Sequence, residues 1–176
     1  MESAAEEPHL RTARDFEVEN QLSTGVPLDR PLDLGAFTPR LLALLTNVIS
    51  SRESQGLRRS MGFGTTDWRI LASLAQEPAL TATELSQYTA MSKAVISRAL
   101  TGLVQQGVVA QGEGPRGSRP LRLTEAGITV YRRMLPIAYR SQRLIERTLS
   151  QEELVALEAL LRRCLDASIL ENNWHE

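Results

Sequence analysis

The chain has 176 residues, one cysteine and a formal net charge of −1 at pH 7. This length suits one domain, or a compact unit with an elaboration for self-association, and a lone cysteine excludes an internal disulfide framework. The sequence has no apolar run of the roughly 20 residues that span a bilayer and no signal-peptide pattern at its start. A cytoplasmic protein without membrane contact is therefore the simplest interpretation.

Charge is unevenly distributed along the chain. Residues 1–37 carry three basic and eight acidic residues, a formal −5, whereas residues 38–132 carry eleven basic and six acidic residues, a formal +5. Residues 133–176 come to −1. A positive segment is by itself only a solvated surface, so it supports nucleic-acid binding only where a binding motif lies within it.

The first 37 residues form an acidic extension interrupted by Pro8, Pro27 and Pro31. Three interpretations stay open: a disordered tail, an arm exchanged between the subunits of a dimer, and part of a lid over a ligand. The composition favours the tail.

Residues 38–62 are predicted to form a long helix that serves dimerisation. Thr38 followed by Pro39 is typical of a helix start, because proline is favoured at the first helical position. The following residues give a wide apolar face: Leu41, Leu42, Leu44, Leu45, Val48 and Ile49.

Residues 63–124 have the order of a winged helix-turn-helix domain. A helix is predicted to open at Thr66 and Asp67, with three residues that pack inward: Trp68, Leu71 and Leu74. Further on, Thr81 and Glu84 have the S/T-x-x-E spacing that satisfies free backbone amides at a helix start. Ser92 is placed to cap another helix that begins at Lys93, and a short turn between two short helices is typical of a helix-turn-helix.

The helix from Lys93 has two distinct faces. Its predicted buried stripe follows the i, i+3, i+4, i+7 rule and consists of Ile96, Ala99, Leu100 and Leu103. Gly107 is expected to end the helix. The opposite face has small or hydrogen-bonding side chains and one long cation, as a helix entering a major groove needs. The predicted DNA-binding residues here are Ser92, Lys93, Ala94, Val95, Ser97, Arg98 and Thr101. For Arg98 a base or phosphate contact is favoured over a solvated position; the small residues either contact DNA or only permit close approach.

A basic hairpin is predicted to follow this helix. Val108–Ala110 and Leu121–Leu123 are expected to form two short strands, the second with both leucines on one face. Between them lies a tip rich in glycine and proline, on which Arg116 and Arg119 are placed to reach phosphates or the adjacent minor groove. The positive segment of the chain therefore coincides with a DNA-binding motif.

Residues 125–176 are predicted to form C-terminal dimerisation helices. Thr124 is placed to cap a long helix that Pro136 is expected to kink, and Ser150 with Glu153 forms a second capping box. The last helix has an apolar stripe: Leu154, Leu157, Leu161, Cys164 and Leu165. Helices at both ends of the chain have more apolar surface than one small winged domain can cover, which predicts a two-fold homodimer.

No residue pattern indicates catalysis, a metal ion or a cofactor. An enzyme would need a nucleophile with a base, a metal cluster or a phosphate loop, and the glycines around Gly112 lie in a hairpin rather than between a strand and a helix. Cys164 lies in an apolar stripe without a basic neighbour in sequence, so inert packing is favoured over peroxide sensing. We therefore predict a protein that is not an enzyme and that needs no cofactor or metal.

In the order and spacing of these segments the sequence resembles the MarR (multiple-antibiotic-resistance regulator) family of bacterial winged-helix transcription factors, over roughly residues 38–170. The resemblance rests on these segments: Thr66–Leu71, Thr81–Leu85, Ile96–Leu100 with Leu103, Gly107–Val109, Leu121–Gly127 and Ser150–Glu153. It implies an obligate homodimer, with terminal helices at the interface, that binds double-stranded pseudo-palindromic operator DNA. It often implies release of the DNA by a small, commonly aromatic ligand bound between the dimerisation and DNA-binding parts.

Two departures from the family pattern concern the wing. Family wings usually hold Asp-x-Arg, whereas Gly117, Ser118 and Arg119 keep the arginine and lack the acid, which predicts a looser wing with a weaker contribution. Gln111 stands where many members carry a basic residue.

The sequence therefore predicts a mainly α fold with a small two-stranded β wing, namely a winged helix-turn-helix with N- and C-terminal dimerisation helices. It predicts a dimeric transcriptional regulator, with repression favoured over activation, that a small molecule releases from its operator. Two alternatives stay open: a winged-helix protein-interaction module, because fold does not dictate function, and a constitutive DNA-binding protein without an effector. The residues that would bind a ligand are not predicted.

Overall fold

The computed structural model describes residues 28–170, so most of the predicted acidic extension lies outside the described residues. The chain divides between Leu42 and Ala43 into two units. In the first unit, the Asp33 carboxylate accepts a hydrogen bond from the Gly35 backbone N–H at 2.8 Å. A short turn therefore precedes the first helix.

The described residues form six α-helices, one short 3₁₀ turn and a two-stranded antiparallel sheet. In chain order the elements are α1 (Thr38–Met61), α2 (Thr65–Gln76), α3 (Ala82–Thr89), α4 (Lys93–Gln105), β1 (Val109–Gln111), the 3₁₀ turn (Pro115–Gly117), β2 (Leu121–Leu123), α5 (Glu125–Glu146) and α6 (Gln151–Leu170). Pro136 lies inside α5, which continues through it to Glu146. The predicted mainly helical fold with a small two-stranded wing is confirmed.

The end of α4 fixes where the first strand begins. Gly107 has a φ of +69°, a conformation that glycine adopts without a steric penalty. Its N–H donates to the Val104 carbonyl at 2.9 Å, and the N–H of Val108 donates to the Leu103 carbonyl at 3.1 Å, which is a Schellman motif. The predicted strand Val108–Ala110 is thus shifted by one residue, because Val108 still belongs to the helix cap and β1 begins at Val109.

One core holds the second unit together, with contributions from α1 to α5 and from both strands. Its buried members are Leu57, Phe63, Ile70, Leu71, Leu74, Leu85, Ile96, Leu100, Leu103, Val108, Val109, Leu121 and Met134. Beside this core the rings of Trp68 and Tyr131 stack, with centroids 5.7 Å apart. A side chain at Gly127 would overlap the Val108 carbonyl, so α5 packs directly on the backbone at the start of the wing.

The start of α3 has the complete capping box that the sequence predicts. The Glu84 carboxylate accepts hydrogen bonds from the Thr81 backbone N–H at 2.7 Å and from the Thr81 hydroxyl at 2.8 Å. In return the Thr81 hydroxyl oxygen accepts from the Glu84 N–H at 3.3 Å. The hydrogen bonds from Thr81, first from its backbone and then from its hydroxyl, lower the pKa of Glu84.

We expect Thr81→Ala to lower the free energy of unfolding by about 1 kcal/mol, because an amide at the start of α3 loses its partner. Urea unfolding followed by circular dichroism measures this change. Thr83→Ala is the matched control, since Thr83 is exposed within the first turn of α3 and takes no part in the box. Equal losses for both variants would contradict a capping role for Thr81.

Candidate DNA-binding surface

The turn between α3 and α4 is held by side-chain contacts to the backbone. Ala90 has a φ of +53° at the end of α3, and the Ser86 hydroxyl donates to the Met91 carbonyl at 2.6 Å across the turn. Ser92 then caps α4, its hydroxyl oxygen accepting from the Val95 N–H at 3.4 Å. The two helices are therefore fixed relative to each other by local contacts, and α4 begins at Lys93 as predicted.

In the structure the predicted inner face of α4 is buried and its predicted outer face is exposed. Ile96, Leu100 and Leu103 are buried, and Ala99 is half-buried beside them. All seven predicted residues of the outer face are exposed: Ser92, Lys93, Ala94, Val95, Ser97, Arg98 and Thr101. The Thr101 hydroxyl donates to the Ser97 carbonyl at 3.0 Å, which leaves its oxygen as an acceptor. The outer face offers hydrogen-bonding groups, two positive charges and the apolar side chain of Val95, which is 39% exposed.

The wing is a closed hairpin rather than an open loop. Val109, Ala110 and Gln111 pair with Leu123, Arg122 and Leu121, respectively. Beyond the strands, Gly112 N–H donates to the Pro120 carbonyl at 2.8 Å and Gly114 N–H donates to the Ser118 carbonyl at 2.8 Å. A 3₁₀ turn at Pro115–Gly117 forms the tip, a feature that the glycine- and proline-rich sequence did not specify.

The two predicted arginines of the wing are both exposed on this hairpin. Arg116 lies in the turn at the tip with a φ of +55°, and Arg119 follows it on the returning segment. Among residues 28–170 the one ion pair within 4 Å joins Arg162 to Glu158 in α6, at 3.9 Å. The guanidinium groups of Arg98, Arg116 and Arg119 therefore have no carboxylate partner in the described part of the chain.

One residue connects α4, the wing and α5. The Thr124 hydroxyl donates to the Gly107 carbonyl at 2.7 Å and accepts from the Gly127 N–H at 3.0 Å. The Thr124 backbone N–H also donates to the Val108 carbonyl at 3.2 Å. The start of α5 is thus hydrogen-bonded to the end of α4, a long-range contact that sequence reasoning missed because it assigned Thr124 only a capping role.

Two exposed residues on neighbouring elements, Tyr88 and Arg122, were not part of the sequence-based set. Tyr88, at the end of α3, is 49% exposed, and a tyrosine hydroxyl is one of the groups that donate hydrogen bonds to DNA phosphates. Arg122 is exposed between the inward leucines of β2. The alternation of β2 was the signal that could have identified Arg122.

Within residues 28–170 no helix is long and apolar enough to cross a membrane. The same residues contain no cluster of three histidine, cysteine or carboxylate side chains that could hold a metal ion.

Two short helices at a fixed turn, followed by a two-stranded wing, define a winged helix-turn-helix protein. The model of the MarR family matches residues 61–120, which include both helices and most of the wing. Residues 61–120 are therefore similar to the MarR family, and the chain has the fold of that family's transcriptional regulators. No curated protein matches the sequence.

Several solved structures have this fold, and this chain matches almost the whole length of each. A MarR-family transcriptional regulator from Silicibacter pomeroyi is 25% identical, with a TM-score of 0.71 over 84% of this chain and 99% of that chain. PcaV from Streptomyces coelicolor, solved with its natural ligand, is 22% identical, with a TM-score of 0.66 over 79% and 99%. BpsR from Bordetella bronchiseptica, whose DNA binding is regulated by 6-hydroxynicotinic acid, is 21% identical, with a TM-score of 0.69 over 78% and 99%.

Proposed function

We propose that the protein is a homodimeric, sequence-specific DNA-binding repressor of transcription. The observation that carries this proposal is the exposed outer face of α4 together with two wing arginines, all without carboxylate partners in the described residues. Arginine reads guanine edges in the major groove and also binds phosphates. In this protein Arg98 on α4 is placed for a base contact in the major groove, and Arg116 and Arg119 on the hairpin are placed for phosphate contacts.

The apolar surface outside the winged domain supports a homodimer. On α1 five large apolar side chains are 44–49% exposed, namely Leu41, Leu42, Leu44, Leu45 and Val48. On α6, Leu165 is 59% exposed and Leu160 is 53% exposed. Monomeric proteins rarely leave such continuous faces in water, so a second copy is the simplest cover for them.

In the proposed complex each subunit inserts α4 into one major groove, about 34 Å from the groove that its partner enters. Arg116 and Arg119 then hold the flanking backbone or enter the adjacent minor groove, where the negative potential is concentrated. A dimer bound in this way on promoter DNA blocks the transcription machinery, which is the physical basis for repression.

Release of the DNA is proposed to follow the binding of a small effector, with an aromatic one favoured. PcaV and BpsR, which share the fold, are respectively described with a natural ligand and with regulation by 6-hydroxynicotinic acid. An effector needs only a higher affinity for a dimer whose recognition helices are wrongly spaced for DNA.

We expect Arg119→Ala to weaken DNA binding by a similar factor on every sequence and to reduce the slope of log affinity against log salt by about 1, since one phosphate contact is lost. Fluorescence anisotropy on operator and scrambled DNA at several salt concentrations measures both quantities. Arg163→Ala, at an exposed position of α6, is the control and should leave the slope unchanged. A wild-type slope for Arg119→Ala would exclude the phosphate contact.

The test of the proposed function is a titration of the purified protein against DNA from upstream of its own gene and against scrambled DNA of equal length, at two salt concentrations. A preference of about a thousandfold or more for the upstream fragment supports a specific regulator. Weak, equal binding that disappears with salt would leave only backbone attraction and would favour the protein-interaction module. Specific binding that no small molecule changes would favour a constitutive DNA-binding protein.

A further inference from the structure

Val95 is an exposed aliphatic residue on the outer face of α4, the face that the proposed function directs into the major groove. Its side chain is 39% exposed and is not among the side chains that pack against the core. It belongs to the first turn of α4, which begins at Lys93. Because the N-terminal residues of a recognition helix are those that contact base edges, the side chain of Val95 is available for a base contact.

The backbone and the side chain of Val95 are both restricted. The Val95 N–H donates to the Ser92 hydroxyl oxygen at 3.4 Å, in the cap of α4. A β-branched side chain in a helix has one strongly preferred χ1 rotamer, so the two methyl groups of Val95 have a defined direction. A contact made through them therefore costs little side-chain entropy.

The outer face of α4 offers only a few kinds of base contact. Arginine and lysine pair with guanine, asparagine and glutamine pair with adenine, acidic residues pair with cytosine, and an apolar side chain contacts the methyl group of thymine. The helix has no acidic residue and no asparagine, and Gln105 is its last residue. Apart from serine and threonine hydroxyls, its first two turns can therefore read guanine through Arg98 or Lys93 and thymine through an apolar side chain. Of the two exposed apolar residues there, Val95 extends further from the helix than Ala94 does, by one carbon–carbon bond.

The spacing of Val95 and Arg98 relates the two bases that they read. The two residues are three positions apart, so they are neighbours on the helix surface and are separated by about 4.5 Å along the helix axis. Successive base pairs of B-DNA are about 3.4 Å apart. The two side chains therefore reach neighbouring base pairs, because the pair in which Arg98 reads guanine has no thymine.

We propose that Val95 contacts the C5 methyl group of a thymine in each half-site of the operator, in the base pair next to the guanine that Arg98 reads. Val95 is then a specificity-determining residue, and each half-site contains a G·C pair beside a T·A pair. This inference rests on the proposed function, because it assigns the bases that the proposed recognition helix reads.

The experiment uses deoxyuridine, which keeps the hydrogen-bonding groups of thymine and lacks its methyl group. The full-length protein is titrated by fluorescence anisotropy against operator duplexes in which each thymine in turn is replaced, in one half-site or symmetrically in both. At one thymine per half-site, replacement is expected to weaken binding about fourfold in one half-site and about 15-fold in both, because each replacement removes one buried methyl group. The protein is unchanged throughout this series, so the result does not depend on the folding of a variant.

Two variants test the assignment to Val95. Val95→Ala removes both methyl groups and should bind the thymine and deoxyuridine operators with the same affinity. Val104→Ala is the matched control, since Val104 is 42% exposed in the same helix and nine residues of helical rotation place it on the opposite side. It should keep the full penalty for deoxyuridine. A penalty of wild-type size in Val95→Ala, or no penalty in Val104→Ala, would overturn the assignment.

Failure of this inference and failure of the proposed function give different results. If the protein prefers its upstream DNA but no deoxyuridine replacement changes the affinity, α4 reads no thymine methyl group and the inference is wrong, while the proposed function stands. If the sensitive thymine is not next to the base pair at which Arg98→Ala relaxes the base preference, the proposed arrangement of the two bases is wrong. If the protein prefers no upstream sequence, the proposed function fails and the inference fails with it.

Discussion

Replacing Arg98 with alanine is expected to weaken binding to the operator by about 5- to 150-fold, which corresponds to the 1–3 kcal/mol of a bidentate arginine contact with a base. Arg98 is exposed on the outer face of α4 and has no carboxylate partner among the described residues, so its replacement breaks no ion pair there. The same variant should relax the preference for one base pair in each half-site. Fluorescence anisotropy on a set of operators with single base-pair changes measures both effects.

The control for Arg98→Ala is Arg133→Ala, which removes the same charge from an exposed position on α5. Both variants should have the dimer affinity and unfolding curve of the wild type. Operator affinity equal to that of the wild type in Arg98→Ala would remove Arg98 from the interface, and a uniform loss across all DNA sequences would reassign it to a phosphate contact.

The second large effect is expected for Leu165→Glu in α6. Leu165 is 59% exposed in one protomer, so the protomer itself tolerates the charge. In a two-fold dimer the substitution places two carboxylates in an apolar interface, and an unpaired buried charge is strongly unfavourable. We expect the dissociation constant of the dimer to rise by about 100-fold or more and operator affinity to fall with it. Sedimentation over a range of concentrations measures the first and anisotropy the second.

Ala159→Glu is the matched control for Leu165→Glu. Ala159 is exposed in the same helix, about 120° from Leu165 around the helix axis and nearly opposite Leu161 at the middle of the apolar stripe. It should remain a dimer with wild-type operator affinity. If Leu165→Glu also remains a dimer at the lowest concentrations, the apolar stripe of α6 is not the interface between subunits.

Local signals in the sequence were sufficient to predict much of the fold. The capping hydroxyls of Thr81 and Thr124 and the glycine at position 107 each act within a few residues, so sequence spacing identifies them. The two faces of α4 also follow from its periodicity alone, since Ile96 and Leu103 are buried and Arg98 is exposed. These are the features that place the candidate DNA-binding residues.

Features that depend on distant parts of the chain were not predictable in this way. Arg52 and Arg140 line one cleft between α1 and α5 although they lie far apart in sequence, and periodicity does not determine which helix faces meet. The bond from Thr124 to the Gly107 carbonyl requires the wing to return the chain beside α4. The observed limits of β1 differ from the predicted ones because Val108 is held by the cap of α4 and is not part of the strand.

A hydroxyl-radical footprint of the purified protein on DNA from upstream of its own gene tests the central claim most directly. The account predicts two symmetric protected patches with centres about one helical turn, 34–36 Å, apart, as expected for a dimer with one recognition helix in each of two successive major grooves. Arg98→Ala should reduce both patches at a protein concentration that saturates the wild type. Uniform or absent protection at concentrations that retard the fragment would contradict a sequence-specific dimer and would leave only non-specific attraction to the DNA backbone.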